Sequence, residues 1–534
     1  MTNLAMLRLE RIVDRLLEPW RTANGPGVSI GVVRGDELVL HRSAGLANIE
    51  LGVPIGPATT FRIASVSKQF TCAAILMLAA EGQLNVEDDI RRTIPDFPDL
   101  GHRITLSHLM HNTSGIRDML EIMRLRGVDL GEPCMPEDLL DAVLRQQGLN
   151  FPPNTRYLYS NSNFMLLGRI VEQISGEPLA SVLERRIFAP LGMAMTRHTP
   201  TTDALVPGLA TGYLPGENGW RRAQHRFPLH GEGGLVSSVQ DLALWHARFG
   251  LSSDNNDILS KMLTAMMPFE NGAANTYACG LRIKTWRGVT TIGHDGLWPG
   301  FKSSFVRLPD HDAAVICLSN DGASDPHDLA FQVVDVLLEG TSGVRPVPPM
   351  PDWADSPELP GRYLEPHTGV TVDIGRDRQD RITASTNGVT TWLLPTEEGR
   401  LTTSRGSGDF TMRLSRDGLR VERDAGFAET LHRVAADASL PPDLPGQYVN
   451  LDIGTAWTIA GTGGGAELRF GRRRRILGPW QIEPVQGDCF RIYTPLTLYR
   501  GWIDARVQRN GAGRVTGIAV EGGRVKGLVF ARQG

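Results

Sequence analysis

Lysine is almost missing from this sequence. Of its 55 basic residues only Lys68, Lys261, Lys284, Lys302 and Lys526 are lysines; the rest are arginine. Cysteine is equally sparse. Cys72, Cys134, Cys279, Cys317 and Cys489 are scattered and odd in number, and no pair has the short spacing of a zinc site. A disulfide framework is therefore not expected, which fits a reducing compartment. No stretch approaches about eighteen apolar residues without a charge, so no membrane-spanning helix is expected. The first residues mix Arg and Glu with Leu and Ile at helical spacing and lack the unbroken apolar stretch of a signal peptide. A cytoplasmic location is the expectation. The formal net charge of −4 supplies no basic face for nucleic acid or for an anionic membrane.

What is present is a soluble chain of 534 residues, 41% hydrophobic and 21% charged, too long for one ordinary core. After an amphipathic first helix, Gly27 to Val33 and Glu37 to Arg42 read as a hairpin around Arg34-Gly35-Asp36. Residues 64–82 read as an apolar helix ended by Gly82, and residues 130–200 read as helical with loops. Tyr277 to Trp286, Val289 to Gly293, Phe301 to Leu308 and Ala313 to Leu318 read as antiparallel strands, followed by a helix over 326–338. Strands from both ends of one domain, with helices between them, predict an α+β domain over 1–340. The Pro-rich stretch 341–358 reads as a linker. Beyond it Leu359-Pro360-Gly361-Arg362-Tyr363 recurs 85 residues later as Leu444-Pro445-Gly446-Gln447-Tyr448, each copy followed by an alternating stretch. The repeat predicts two small antiparallel β-barrel domains of one plan, 359–438 and 439–534.

The chemistry centres on Ser65 and Lys68. Residues three apart on a helix share a face, so the amine can reach the hydroxyl. A serine at a helix N-terminus also meets a favourable field for developing negative charge. Ser-x-x-Lys alone is a loose pattern, equally written by a helix cap and a surface lysine. The scarcity of lysine gives it weight, because Arg cannot lose its proton in a protein whereas a buried Lys can become a neutral base. Two further elements have matching chemistry. In Tyr159-Ser160-Asn161 the phenol can shuttle protons and the Asn can hold a substrate amide. In His294-Asp295-Gly296 the Gly admits close approach of substrate backbone, and the His can donate to a substrate carbonyl or carboxylate.

In this order the three elements resemble the serine β-lactamase and penicillin-recognising superfamily, whose signature is Ser-x-x-Lys. Supporting matches are His111-Asn112-Thr113-Ser114-Gly115-Ile116, Pro190-Leu191-Gly192-Met193, Gly233-Gly234-Leu235-Val236-Ser237-Ser238 and Asp241-Leu242-Ala243, and the resemblance covers about residues 10–340. Ser65 to Ala73, Arg186 to Pro190 and the two trailing barrels are similar to its D-aminopeptidase branch. The resemblance implies a serine hydrolase without cofactor or metal, acting on small peptides, amides or esters from the free amino end. It also implies sensitivity to β-lactams and a homodimer. Ser65 attacks, Lys68 and Tyr159 take its proton as a coupled pair, and either of them can be the base. The amides of Ser65 and Leu297 form the oxyanion hole, while Asn161, Gly296 and His294 position substrate. In that branch a loop of the last barrel reaches the site. Its counterpart here is Tyr493, Thr494, Pro495, Leu496, Thr497, Leu498, Tyr499, Arg500 and Gly501, a stretch with no carboxylate for a substrate ammonium, so that Asp488 or Asp504 would have to substitute.

Three rivals remain open: a β-lactamase-like esterase, a β-lactamase or D,D-peptidase, and a non-catalytic sensor of peptides or β-lactams. Gly27-Val28-Ser29-Ile30-Gly31 matches the nucleophile elbow of another hydrolase class. That motif needs a strand, a sharp turn and a helix, and Ser29 lies inside a strand. His108 and His111 lack a nearby carboxylate to complete a metal site, and the Arg472 to Arg475 run reads as a solvated face.

Overall fold

A computed structural model describes residues 3–21, 24–250, 263–403, 410–423, 427–435, 438–462, 465–470, 479–496 and 501–534. The Arg472 to Arg475 run lies outside them. The N-terminal domain is built on a six-stranded antiparallel sheet. Its strand order is Arg282–Trp286, Val289–Trp298, Phe301–Leu308, Ala313–Ser319, Val28–Arg34 and Glu37–Ala44. The central strand Ala313–Ser319 shows why it reads as an unbroken apolar run. Ala313, Val315 and Cys317 face one core, Ala314, Ile316 and Leu318 face the other, and both faces are covered. The helix Asn3–Arg21 closes the first face with Leu9, Val13 and Leu17, spaced one turn apart, beside the helix Pro326–Leu338.

The other face carries the long insert between the second and third strands of the chain. At its centre is the helix Lys68–Ala80, in which nearly every side chain is buried. A helix buried on nearly every side is stable only as a core element. It packs on the helix Asn161–Ser175 and lies close to the helix Val239–Gly250, where Phe70 meets Trp245 at 4.6 Å between rings.

Two closed eight-stranded antiparallel barrels follow, from Gly361 to Arg433 and from Gly446 to Arg532. The repeated pentapeptide opens each one, and its residues do the same work twice. Leu359 and Leu444 are buried, and the tyrosine four residues later donates its hydroxyl back to the leucine carbonyl, at 2.8 Å from Tyr363 and 2.5 Å from Tyr448. An arginine of the last strand then donates to the proline carbonyl, Arg433 to Pro360 and Arg532 to Pro445, each at 2.9 Å. The motif is a barrel clasp.

The barrels relate differently to the N-terminal domain. The interior of the last barrel is continuous with the core around the helix Lys68–Ala80, whereas the first barrel has a core of its own. The seam is the short helix Met119–Leu125 and the turn after it. Trp457 donates to the Leu125 carbonyl, Arg126 to that of Ile453, and Arg124 to Thr494 and the Trp502 carbonyl while paired with Glu121.

Candidate active site

Ser65 stands on a tight turn, Ala64–Ser67, that runs straight into the helix Lys68–Ala80. Ala64 is left-handed, with φ +46°. An L-residue enters that region at a cost, and such strain gathers where a side chain must be aimed. The turn is held by the sheet edge, since the Ile63 amide donates to Leu235 and Ser303 Oγ donates to the Ile63 carbonyl.

Lys68 is fully buried. Its Nζ donates to the Glu232 carbonyl at 2.6 Å, to Asn161 Oδ1 at 3.0 Å and to Ser65 Oγ at 3.2 Å. An ammonium has three protons and no lone pair, so three acceptors satisfy it completely. Tyr159 Oη approaches the same Ser65 Oγ to 2.7 Å, and its ring lies 4.8 Å from the Lys68 nitrogen. Serine hydroxyl, phenol and amine therefore form one contiguous group.

The segment carrying Tyr159 is fixed from below. Asn112, left-handed at φ +55°, accepts from the Ser160 amide and from Asn163, and its carbonyl accepts the Leu158 amide. The turn His111 to Ile116 is thus a cradle for the Tyr-Ser-Asn segment. Asn161 is held by Asp118, whose carboxylate accepts both the Asn161 amide, at 2.6 Å, and its side-chain nitrogen, at 2.9 Å. This leaves Asn161 Oδ1 aimed at Lys68. Asp118 is a site residue that sequence reasoning missed; the only local signal is its place as cap of the helix Met119–Leu125.

His294 differs from expectation. It sits in the middle of the strand Val289–Trp298, not after one, and its Nδ1 donates to the Asp295 carbonyl at 2.5 Å. That fixes the tautomer, so Nε2 accepts from Tyr277 Oη at 3.1 Å. Burial first, then Arg282 and Lys68, push the imidazole down to about 3. Both ring nitrogens are engaged inside the protein, so direct donation from His294 to substrate does not fit this geometry. What it presents instead is Tyr277, also missed, which stands between Tyr157 at 5.4 Å and Tyr159 at 6.2 Å. Burial, then the neighbouring phenol of Tyr159, raise Tyr277 well above the ordinary range, so it stays protonated. Asp295 turns its carboxylate away to His327, at 3.0 Å.

Gly296 lies against the turn before Ser65: a Cβ there would meet the Ile63 carbonyl oxygen at 2.2 Å. The following Leu297 has an exposed side chain. Behind Lys68, the carboxyl of Glu232 is buried, its Oε2 has no partner, and burial raises its proton affinity.

The loop expected from the last barrel is described only at its two ends. Tyr493 and Thr494 belong to a strand paired with Trp502 and Gly501, Thr494 accepts from Arg124, and Leu496 is buried in the seam. Pro495 lies between them, and Gly501 packs on Asn387 and Gly388 of the first barrel. Thr497, Leu498, Tyr499 and Arg500 lie outside the described residues. Asp504 is buried against Thr371, and Asp488 pairs with Arg509, so both are engaged within the barrels. The described loop that does reach Tyr159 is a different one, Gly522 to Gly527, through Arg524, whose guanidinium lies 4.7 Å from the ring.

Ser29 stays inside its strand, paired on both sides, with Oγ 2.9 Å from His41 Nε2. No sharp turn presents it. His111 lies between the carbonyls of Ser107 and Ala265.

Known proteins are similar to this chain. The D-aminopeptidases of Cereibacter sphaeroides and Brucella ovis are 28% and 26% identical to the chain over 98% and 100% of its length, and of their own. Among solved structures, the octameric penicillin-binding protein homologue from Pyrococcus abyssi superposes with a TM-score of 0.53 at 22% identity, over 79% of this chain and 99% of that one. The D-amino acid amidase from Ochrobactrum anthropi SV3 reaches 0.53 at 24%, over 63% of this chain and all of its own. The beta-lactamase family model matches residues 9–338, and the chain belongs to that family.

Proposed function

We propose that the protein is a serine hydrolase that works through an acyl-enzyme on Ser65 and releases N-terminal D-amino acids from peptides, amides or esters. The observation that carries this reading is the convergence of Tyr159 Oη and Lys68 Nζ on Ser65 Oγ, at 2.7 and 3.2 Å. The relatives named D-aminopeptidase align with the chain almost end to end, which supports the substrate class.

In the proposed cycle Ser65 Oγ attacks the substrate carbonyl as its proton passes into the Lys68 and Tyr159 pair. The backbone amides of Ser65 and Leu297 receive the developing oxyanion, a role favoured by the close approach of Gly296 to the Ser65 turn. Tyr159 Oη then protonates the leaving amine, and water, activated by the same pair, releases the acid. Lys68, held by three acceptors, stands beside the phenol and the nascent alkoxide, and either member of the pair can be the base. An arginine in its place could not accept a proton.

The test is a panel of D-alanine p-nitroanilide, its N-acetylated form, a short-chain p-nitrophenyl ester and nitrocefin, with Ser65→Ala and Ser29→Ala variants. The free D-anilide is expected to be the best substrate and only Ser65→Ala to abolish turnover. Faster cleavage of the acetylated anilide would refute the aminopeptidase reading. A preference for the ester or for nitrocefin would favour the esterase or β-lactamase reading, and an adduct on Ser65 that never turns over a sensor.

A further inference from the structure

We infer that Arg524 of the last barrel forms an anion-binding subsite beside Ser65, which takes the free C-terminal carboxylate of the leaving residue and makes the preferred substrate a D-aminoacyl dipeptide. The inference rests on the hydrolase reading above and names its substrate more closely.

Its basis is where the loop Gly522 to Gly527 is held. The Gly522 amide donates to the Val525 carbonyl and closes the loop on itself at 2.9 Å. The Arg524 carbonyl accepts from Asn150 Nδ2 at 3.1 Å and from the Asp118 amide at 3.4 Å, while the Lys526 amide donates to Asn150 Oδ1 at 2.8 Å. Three contacts to the insert of the N-terminal domain thus fix the loop before any substrate arrives. Pre-organised groups bind without an ordering cost.

The side chain so placed lies with its guanidinium 4.7 Å from the ring of Tyr159 and remains 21% exposed. It pairs with Asp118 at 3.7 Å, and that carboxylate also accepts from the Asn161 amide and side chain and from the Glu121 amide. The nearby acids are likewise engaged or shielded: Glu121 by Arg124, Asp295 by His327, Glu232 by burial.

Position decides which end of the substrate this anion belongs to. Tyr159 Oη is the group that hands a proton to the leaving amine, so the leaving residue passes along the Tyr159 ring. In a dipeptide its carboxylate is one Cα from that nitrogen, within reach of a guanidinium stacked on the same ring. Arginine also offers a planar fork that matches a carboxylate in two places.

The experiment measures kcat and KM for D-alanylglycine, D-alanylglycinamide and D-alanine p-nitroanilide, with the wild type, Arg524→Gln and Arg524→Lys. The wild type should favour the free acid over its amide by at least about tenfold in kcat/KM, mainly through KM. Arg524→Gln should erase that ratio, and Arg524→Lys should keep part of it. A wild-type ratio near one, a ratio that survives in Arg524→Gln, or cleavage of the anilide alone would overturn the subsite. Failure to cleave any of the three substrates would instead overturn the aminopeptidase reading beneath it. Should Arg524→Gln not fold, the wild-type ratio decides, and it must shrink as salt rises from about 20 to about 300 mM.

Discussion

Two groups from distant parts of the chain share one oxygen. Tyr159 and Lys68 both approach Ser65 Oγ, and the amine also lies 4.8 Å from the phenol ring, so a proton removed from Ser65 stays within the group. Tyr159→Phe deletes the hydroxyl alone and leaves the ring against Tyr277 and Arg524. It should lower kcat/KM for D-alanine p-nitroanilide by about 10²- to 10⁴-fold, the usual weight of a positioned acid–base group, and leave the melting temperature nearly unchanged. A loss below tenfold would remove Tyr159 from the proton path. Ser65, Lys68 and Tyr159 could be read from the chain because each carries its chemistry in its own motif. Asp118, Tyr277 and Arg524 could not. Asp118 meets Asn161 across 43 positions, and Arg524 meets Tyr159 from a separate barrel, so no local spacing announces them. The role expected of His294 fails for a related reason, since its two hydrogen bonds depend on a strand pairing and on Tyr277.

At the scale of elements, glycines that look like stops are places of close approach. The sequence pattern ends a strand at Gly293, yet the strand continues to Trp298. A Cβ at Gly293 would meet the Phe305 carbonyl oxygen at 2.0 Å, and one at Gly296 the Ile63 carbonyl oxygen at 2.2 Å and Ser303 Oγ at 2.3 Å. Both positions need glycine because backbone passes there, not because the strand breaks. Gly280, at φ +71°, acts the same way: it turns the chain against the Lys68 carbonyl, where a strand from Tyr277 was expected. It follows that Gly296→Ala must push the strand Val289–Trp298 away from the Ser65 turn. The expected outcome is a loss of about 1–3 kcal/mol in denaturant unfolding, the cost of overpacking. With it should come a drop of roughly a hundredfold in kcat, as misplacing reacting groups by about an ångström produces. Unchanged kinetics in a folded variant would show that this edge does not shape the site. The barrel repeat, by contrast, was legible, because its Leu and Tyr act on one another within five residues.

Across the whole molecule, the division of the cores and the placement of histidines set how the protein responds to acid. Burial, as the largest cause in each case, holds His108 down to about 4 and His198, His225, His246 and His294 to about 3; His41 and His111 are lowered too. All seven lie in the N-terminal domain. Neutral in the fold, each takes up a proton on unfolding once the pH drops below its ordinary value of 6.5. The stability this neutrality represents is complete above pH 6.5 and is lost as the pH falls toward 4 and then 3. Each such group contributes a slope of up to about 1.4 kcal/mol per pH unit, so several together rival the net stability of a domain within one or two units. The last barrel shares its core with the N-terminal domain and should unfold with it, whereas the first barrel has a separate core and should melt on its own. Scanning calorimetry from pH 7.5 to 5 is expected to show a large transition whose midpoint falls steeply below pH 6.5 and a smaller one that moves little. His246, whose ring nitrogens are both buried without partners, offers the control. His246→Asn should flatten the steep transition by about one proton's worth, up to about 1.4 kcal/mol per pH unit. A midpoint that stays level down to pH 5 would mean that these histidines do not hold the acid limit of the fold.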